Sequence, residues 1–260
     1  MSDTRSIRLA VEVPGTAQEA WAAVATAAGI SSWYVPHTVE ERQGGMATAR
    51  FGAGDEMLVP GRVAAWEPPR RIVFDGGEAS GSAMTFQWTV QPVGDDRCEI
   101  ELLNEGYGSG GEWDDQFAAM HDGWEMFLTN LRLHMENFRG RTAAPAIPSA
   151  TWPVPRTEAW ELLLEALGRP EVGPVGHRLD IGATDAPALA GTITEVAPFR
   201  ISLLVERPAA GTGFITAEGT GGDTMLSVWT YLYGPRAEEL AARDEARWNE
   251  WLRDHSPAKT

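Results

Sequence analysis

Lysine is almost missing from this chain. Of its 21 basic residues only Lys259 is a lysine, and they face 37 acidic ones, for a formal charge of −16. Such a surface repels phosphate backbones and anionic lipid heads, and no local basic cluster offsets it, so neither nucleic acid nor a membrane surface is an expected partner. The imbalance is shared along the chain, with 10 basic against 21 acidic residues in 1–140 and 11 against 16 in the remainder. Cysteine is nearly absent too: Cys98 stands alone, which rules out an intrachain disulfide and gives no sign of an oxidising compartment. Long apolar runs are lacking, since no window approaches the roughly 18 residues of a membrane helix. The opening "MSDTRSIRLAVEV" also lacks a basic segment followed by an apolar stretch, so a cytoplasmic location is expected. Arginine in place of lysine, with abundant Ala, Gly and Pro, suggests a GC-rich bacterial source.

Metal and nucleophile chemistry are poorly supplied as well. The histidines, His37, His121, His134, His177 and His255, form no i,i+4 pair and have no cysteine cluster, so no metal site is expected. Ser109 lies between glycines, but Tyr107 stands two residues before it where a nucleophile elbow needs glycine. "GYGSGG" at 106–111 matches G-x-G-x-x-G after an expected strand and before a helix. A dinucleotide site needs that helix to lead into a parallel strand, whereas here it leads into a proline-rich stretch, so no cofactor is expected. The loop reads as a flexible gate or as a plain strand-to-helix turn.

What the chain does have is 11 tryptophans and an internal echo. "AQEAWAAVATAAG" at 17–29 returns as "TEAWELLLEALG" at 157–168, each with Gly eight residues after the Trp and Pro five before the Glu. "GRVAAWEPPR" at 61–70 is echoed by "GTITEVAPFR" at 191–200, and "GWEMFL" at 123–128 by "RWNEWL" at 247–252. The offset falls from 139 to 130 to 124, which describes a tandem repeat whose second copy is 15 residues shorter. The expected division is a first domain over 1–140, a proline-rich linker over 141–156 that could also be a frayed edge strand, and a shortened second domain over 157–260. Duplication also suggests that the two copies pack as a pseudo-dimer within a monomer.

Periodicity fills in the elements. Ile7, Leu9, Val11 and Val13 alternate as on a half-buried strand over 5–13, and Thr16 with Glu19 forms a capping box for a short helix ending at Gly29. Further strands are expected at 46–52, 57–66, 71–75, 83–91 and 97–103, joined by turns such as "EPPR" and "VGDDR". From about 112 the period becomes helical, with Trp113, Phe117, Met120, Trp124, Phe127 or Leu128, Leu131, Met135 and Phe138 on one stripe. The second copy repeats this order with a helix at 157–168, strands near 176–182, 191–197, 199–206, 213–218 and 224–233, and a helix at about 236–254.

Four stretches carry a likeness: "VEVPGTAQEAWAAVATAAGISSWYVP" at 11–36, the Gly-Gly at 44–45, "VAAWEPPRRIVF" at 63–74 and "HDGWEMFLTNLRLHME" at 121–136. Residues 5–138 resemble the family of activator of heat-shock-protein ATPase homologues, within the START-like (SRPBCC) superfamily; residues 150–255 resemble it more weakly. The resemblance implies an α+β helix-grip fold, an antiparallel sheet wrapped on a long C-terminal helix, present here twice. It also implies a mostly apolar cavity between sheet and helix that holds a small hydrophobic or aromatic molecule.

Candidate lining residues are Trp33, Phe51, Trp66, Phe74, Trp88, Phe117, Met120, Trp124 and Phe127, with Tyr34, His37, Tyr107 and His121 as polar tips. The plainer reading of most of them, taken singly, is core. Glu105 and His121 could meet at the mouth, while Glu112, Asp114 and Asp115 suit the first turn of the long helix. With no nucleophile, metal set or cofactor motif, the leading expectation is non-catalytic binding. An enzyme of aromatase, cyclase or hydrolase type, or a chaperone-linked interaction module, stands as the alternative.

Overall fold

The computed structural model describes residues 5–52, 54–76, 84–108, 111–182, 185–219 and 221–258, with side chains in 111–116 described only for Asp114. Ser109 and Gly110 of the glycine-rich stretch, the side chains of Glu112, Trp113 and Asp115, Ala83 at the start of an expected strand, and Lys259 lie outside the described residues. The chain divides into two compact units, Met1–Thr142 and Ala143–Thr260.

In the first unit β1 (Arg5–Pro14) leads into α1 (Ala17–Ala25) and α2 (Ala27–Ile30). Then come β2 (His37–Val39), β3 (Met46–Arg50), a turn of helix at 55–57, β4 (Leu58–Glu67), β5 (Arg71–Asp75), β6 (Thr85–Gly94), β7 (Arg97–Tyr107) and the long α3 (Gly111–Asn137). The sheet runs β1-β7-β6-β5-β4-β3-β2, so the first strand closes against the last and the rest follow as an antiparallel meander. Alternation dictates which face is buried: Ile7 and Val13 of β1, and Cys98, Ile100 and Leu102 of β7, are inside while Arg8 and Glu12 face water.

The capping box is present: Glu19 N donates to Thr16 Oγ1 at 3.3 Å, and Thr16 N donates to Glu19 Oε2 at 2.8 Å. Two otherwise orphaned amide donors are satisfied reciprocally. Thr16→Ala is expected to cost about 1 kcal/mol, read as a lower urea midpoint with unchanged slope; an unchanged midpoint would mean the box contributes nothing.

The second unit repeats the order with β8 (Ala144–Ala146), β9 (Ser149–Trp152), α4 (Arg156–Ala166), β10 (Arg178–Asp180), β11 (Ala190–Ala197), β12 (Arg200–Arg207), β13 (Gly211–Glu218), β14 (Thr224–Leu232) and α5 (Ala237–Asp254). Its sheet runs β10-β11-β12-β13-β14, with β8 and β9 both paired to β14, so the opening strand again closes on the last one. The fold is therefore α+β, an antiparallel sheet with a C-terminal helix present twice, the second copy shortened. Among the described residues it has no counterpart of β2 or α2.

Of the two readings of the proline-rich stretch 141–156, linker or frayed edge strand, part of it takes the second. Ala144–Ala146 and Ser149–Trp152 form an interrupted strand on β14 and belong to the second unit. Pro145 and Pro148 lack the amide donor a central strand needs, but an edge strand must pair on only one side, so the strand breaks instead of failing. Where Thr16 caps α1, Pro155 stands before α4 and offers no side-chain cap.

One continuous core runs through the second unit. Ile193, Ile201, Leu203, Ile215 and Val228 come from the sheet, Leu163 from α4, and Trp248, Trp251 and Leu252 from α5. Trp152 is fully buried and donates from Nε1 to the Leu252 carbonyl at 2.8 Å.

Candidate functional site

Cross-strand register in the first unit builds two rows on one face of the sheet. One row is Leu9, Leu102, Trp88, Ile72 and Trp66; the other is Ile7, Asn104, Phe86, Phe74 and Val63. Trp124 of α3 meets this face, with its ring 5.6 Å from Trp88 and 5.8 Å from Phe86. The segment after α2 supplies a third wall. Amides of Trp33 and Tyr34 donate back to Ile30 O at 3.2 and 2.9 Å, a tight turn that aims two consecutive aromatic rings towards α3. Trp33 reaches Trp88 at 5.4 Å, and Tyr34 reaches Phe127 at 4.5 Å, Trp124 at 5.0 Å, His37 at 5.5 Å and Phe51 at 6.1 Å.

Burial divides this cluster. Trp33, Trp88 and Trp124 are 1%, 4% and 4% exposed and serve as core. Tyr34, His37, Phe51, Phe74, Phe86, Phe117 and Met120 are only half-buried. Tyr34 is the telling case. Five rings surround it, yet it keeps some accessible surface.

Most polar atoms of the cluster are already engaged. Trp33 Nε1 donates to Ala23 O at 2.8 Å, and Asn130 Nδ2 to Trp33 O at 2.8 Å. Asn104 Oδ1 accepts from both Tyr107 Oη and Trp124 Nε1, the latter at 3.1 Å, while its Nδ2 donates to Thr85 O at 3.0 Å. His37 donates from Nδ1 to Val35 O at 2.8 Å. Apart from the sealed Asn130 Oδ1, two groups are left over: Tyr34 Oη and His37 Nε2 make no hydrogen bond to any described residue.

The surroundings keep both groups neutral. Burial pushes the Tyr34 phenol well above its ordinary range, with the Tyr107 phenol adding a smaller effect, and burial likewise raises Tyr107. Burial lowers the His37 imidazole, an effect that the bond to Val35 O partly offsets. A neutral imidazole and an un-ionised phenol side by side can accept and donate hydrogen bonds but offer no charge.

Not every expected site residue gathers here. Trp66 packs edge-on against Trp21 of α1 at 5.0 Å, which gives it a helix-docking role. Tyr107 is fully buried against Phe117 at 5.1 Å, its hydroxyl turned to Asn104. His121 faces Glu125 on its own helix at 3.9 Å, and no hydrogen bond or ion pair joins it to Glu105. His121, Asp122 and Glu125 cluster on α3, but both carboxylates are exposed and the group forms no built metal site. Three contributors escaped the sequence reading: Phe86, Asn104 and Asn130. Asn104 had a readable signal, since it continues the inward set of Cys98, Ile100 and Leu102 with a polar residue. A separate half-open groove of about 320 Å³ lies between α1 and the end of α3, with Ala22, Thr26, Gly29, His134 and Arg141 among its walls. No described helix is long and apolar enough to cross a membrane.

Residues 15–136 match the family model described as Activator of Hsp90 ATPase homolog 1-like protein, a match confined to the first unit. No curated protein matches the chain. Among solved structures, the di-domain ARO/CYC BexL from the BE-7585A biosynthetic pathway is 16% identical at a TM-score of 0.46, covering 98% of this chain and 100% of its own. The di-domain ARO/CYC StfQ from the steffimycin biosynthetic pathway is 16% identical at 0.42, covering 95% and 92%. The Aha1 dimer from Colwellia psychrerythraea is 15% identical at 0.42, covering 52% and 99%. At these identities the likeness concerns the fold and says nothing of what is bound.

Proposed function

We propose that the first unit, which carries the Activator of Hsp90 ATPase homolog 1-like match, binds one small, neutral, hydrophobic or aromatic molecule between its sheet and α3. Tyr34, Phe51, Phe86 and Met120 serve as walls, and Trp33, Trp88 and Trp124 as the packed base. The observation that carries this reading is Tyr34, ringed by aromatic side chains and still accessible. An apolar space with few convergent polar groups is what small-molecule sites generally present.

The alternative, an enzyme of aromatase, cyclase or hydrolase type, draws on the two unpartnered polar groups, Tyr34 Oη and His37 Nε2, in the same enclosure. A neutral imidazole nitrogen is a competent proton acceptor. A chaperone-linked role has only the family's description behind it.

Phenylnaphthylamine, a neutral dye that brightens in apolar surroundings, tests the reading. The full chain should show a saturable increase at one dye per chain. Phe51→Asp, which sets a carboxylate beside Tyr34 at a half-buried position, should weaken binding about tenfold or more while the protein stays folded. Folded protein with no saturable signal, or an unaffected Phe51→Asp variant, would overturn the pocket.

A further inference from the structure

Within the first unit's aromatic cluster nearly every polar atom is committed to the protein itself. Trp33 Nε1, Trp124 Nε1, Tyr107 Oη and both ends of the Asn104 amide have partners. Asn130 Oδ1 lacks one but is sealed from solvent, so no ligand atom reaches it in this packing. That leaves Tyr34 Oη and His37 Nε2, on rings 5.5 Å apart and tilted by 38°.

The orientation of the pair is set by the backbone. Val35 O can only accept, so the bond at His37 Nδ1 places the proton there and leaves Nε2 with its lone pair. The segment itself is pinned at several points. His37 N donates to Ser31 Oγ at 2.9 Å, Ser31 Oγ donates to Ala27 O at 2.7 Å, and Arg50 N donates to Pro36 O at 2.9 Å. A preorganised acceptor beside a hydroxyl needs no rearrangement to meet a ligand. Neither residue makes an ion pair among the described residues, and the rings packed on Tyr34 are Trp33, Phe51, Trp124 and Phe127. An anion entering among these rings would surrender its hydration.

Resting on the pocket reading above, we propose that Tyr34 Oη and His37 Nε2 form the polar head of the site and select a neutral ligand bearing a hydroxyl or N–H donor, such as a phenol, over its ether, hydrocarbon or carboxylate counterpart. The ligand's donor bonds to His37 Nε2, and Tyr34 Oη donates to the ligand oxygen. A ligand without a donor leaves Nε2 desolvated and unpaired, which is the larger part of the discrimination.

Calorimetric titration of the full chain with naphthol and with its methyl ether measures this directly. Wild-type protein should bind naphthol about tenfold or more tightly than the ether. In His37→Leu the preference should fall to within about twofold because naphthol weakens while the ether does not. His37→Gln, which restores an acceptor, should recover part of it and guards against a variant that merely misfolds. Equal binding of the two probes by wild type, or a preference that survives in His37→Leu, overturns the polar head while the pocket stands. If neither probe binds to folded wild type, the pocket falls and the polar head with it.

Discussion

Trp124→Ala should cost the first unit about 3–5 kcal/mol. The indole packs within about 6 Å of Tyr34, Phe86, Trp88 and Phe127, at 5.0, 5.8, 5.6 and 6.0 Å between ring centroids. Its removal opens a void where α3 meets the sheet, and aromatic pairs add to the cost beyond the buried area. It also removes one of the two donors to Asn104 Oδ1. Urea titration followed by hydrogen exchange of the β6 and β7 amides localises the loss. Trp160, half-buried and touching Phe199 at 6.4 Å, makes a useful contrast and should cost less when truncated. A Trp124→Ala loss below about 1 kcal/mol would mean that α3 is not clamped to the sheet through this side chain.

The second large effect is acid sensitivity from His134. This side chain near the end of α3 is 3% exposed, and burial lowers its pKa from 6.5 to about 4. The unfolded chain takes up a proton near 6.5 while the folded chain resists until about 4. Between those values the unfolded state binds more protons, so stability is intact above 6.5 and falls as the pH drops towards 4. The loss from this one group is about 3 kcal/mol at full extent. Carboxylates titrate in the same window, so wild type must be compared with His134→Gln. Denaturant midpoints at neutral pH and near pH 4.5 should converge for the two proteins as the pH falls. Parallel pH curves would contradict a neutral buried imidazole.

Much of the architecture was legible because burial imposes its period on the strands and on α3. The alternation of Ile7 to Val13 and of Cys98 to Leu102 placed β1 and β7, and the Thr16–Glu19 box placed the start of α1. The tandem order followed from the echoes and is matched by the strand order of both sheets. Two elements were hidden for physical reasons. His37–Val39 is too short to show a period, and in β8 with β9 the prolines left an edge strand indistinguishable from a linker.

The candidate site was legible as a set of residue types, less so as an arrangement. Trp33, Tyr34, His37, Phe51, Trp88 and Trp124 do come together. Whether an aromatic ring is core or wall depends on what lies across from it, which alternation cannot reveal. Trp66 sits in the same cross-strand row as Trp88 and Ile72, yet α1 covers it through Trp21. His121 was expected among the polar tips of the cavity, but its contact is Glu125 one turn along.

The central claim is that the first unit keeps an accessible aromatic interior while the second is filled by Trp152, Trp248, Trp251 and their aliphatic neighbours. Native mass spectrometry of the full chain, purified gently and then titrated with phenylnaphthylamine, tests it most directly. The account predicts a single bound small molecule per chain at saturation, whether carried from the cell or supplied as the probe. A chain that stays at its bare mass under saturating probe, or one that takes up two, would contradict it.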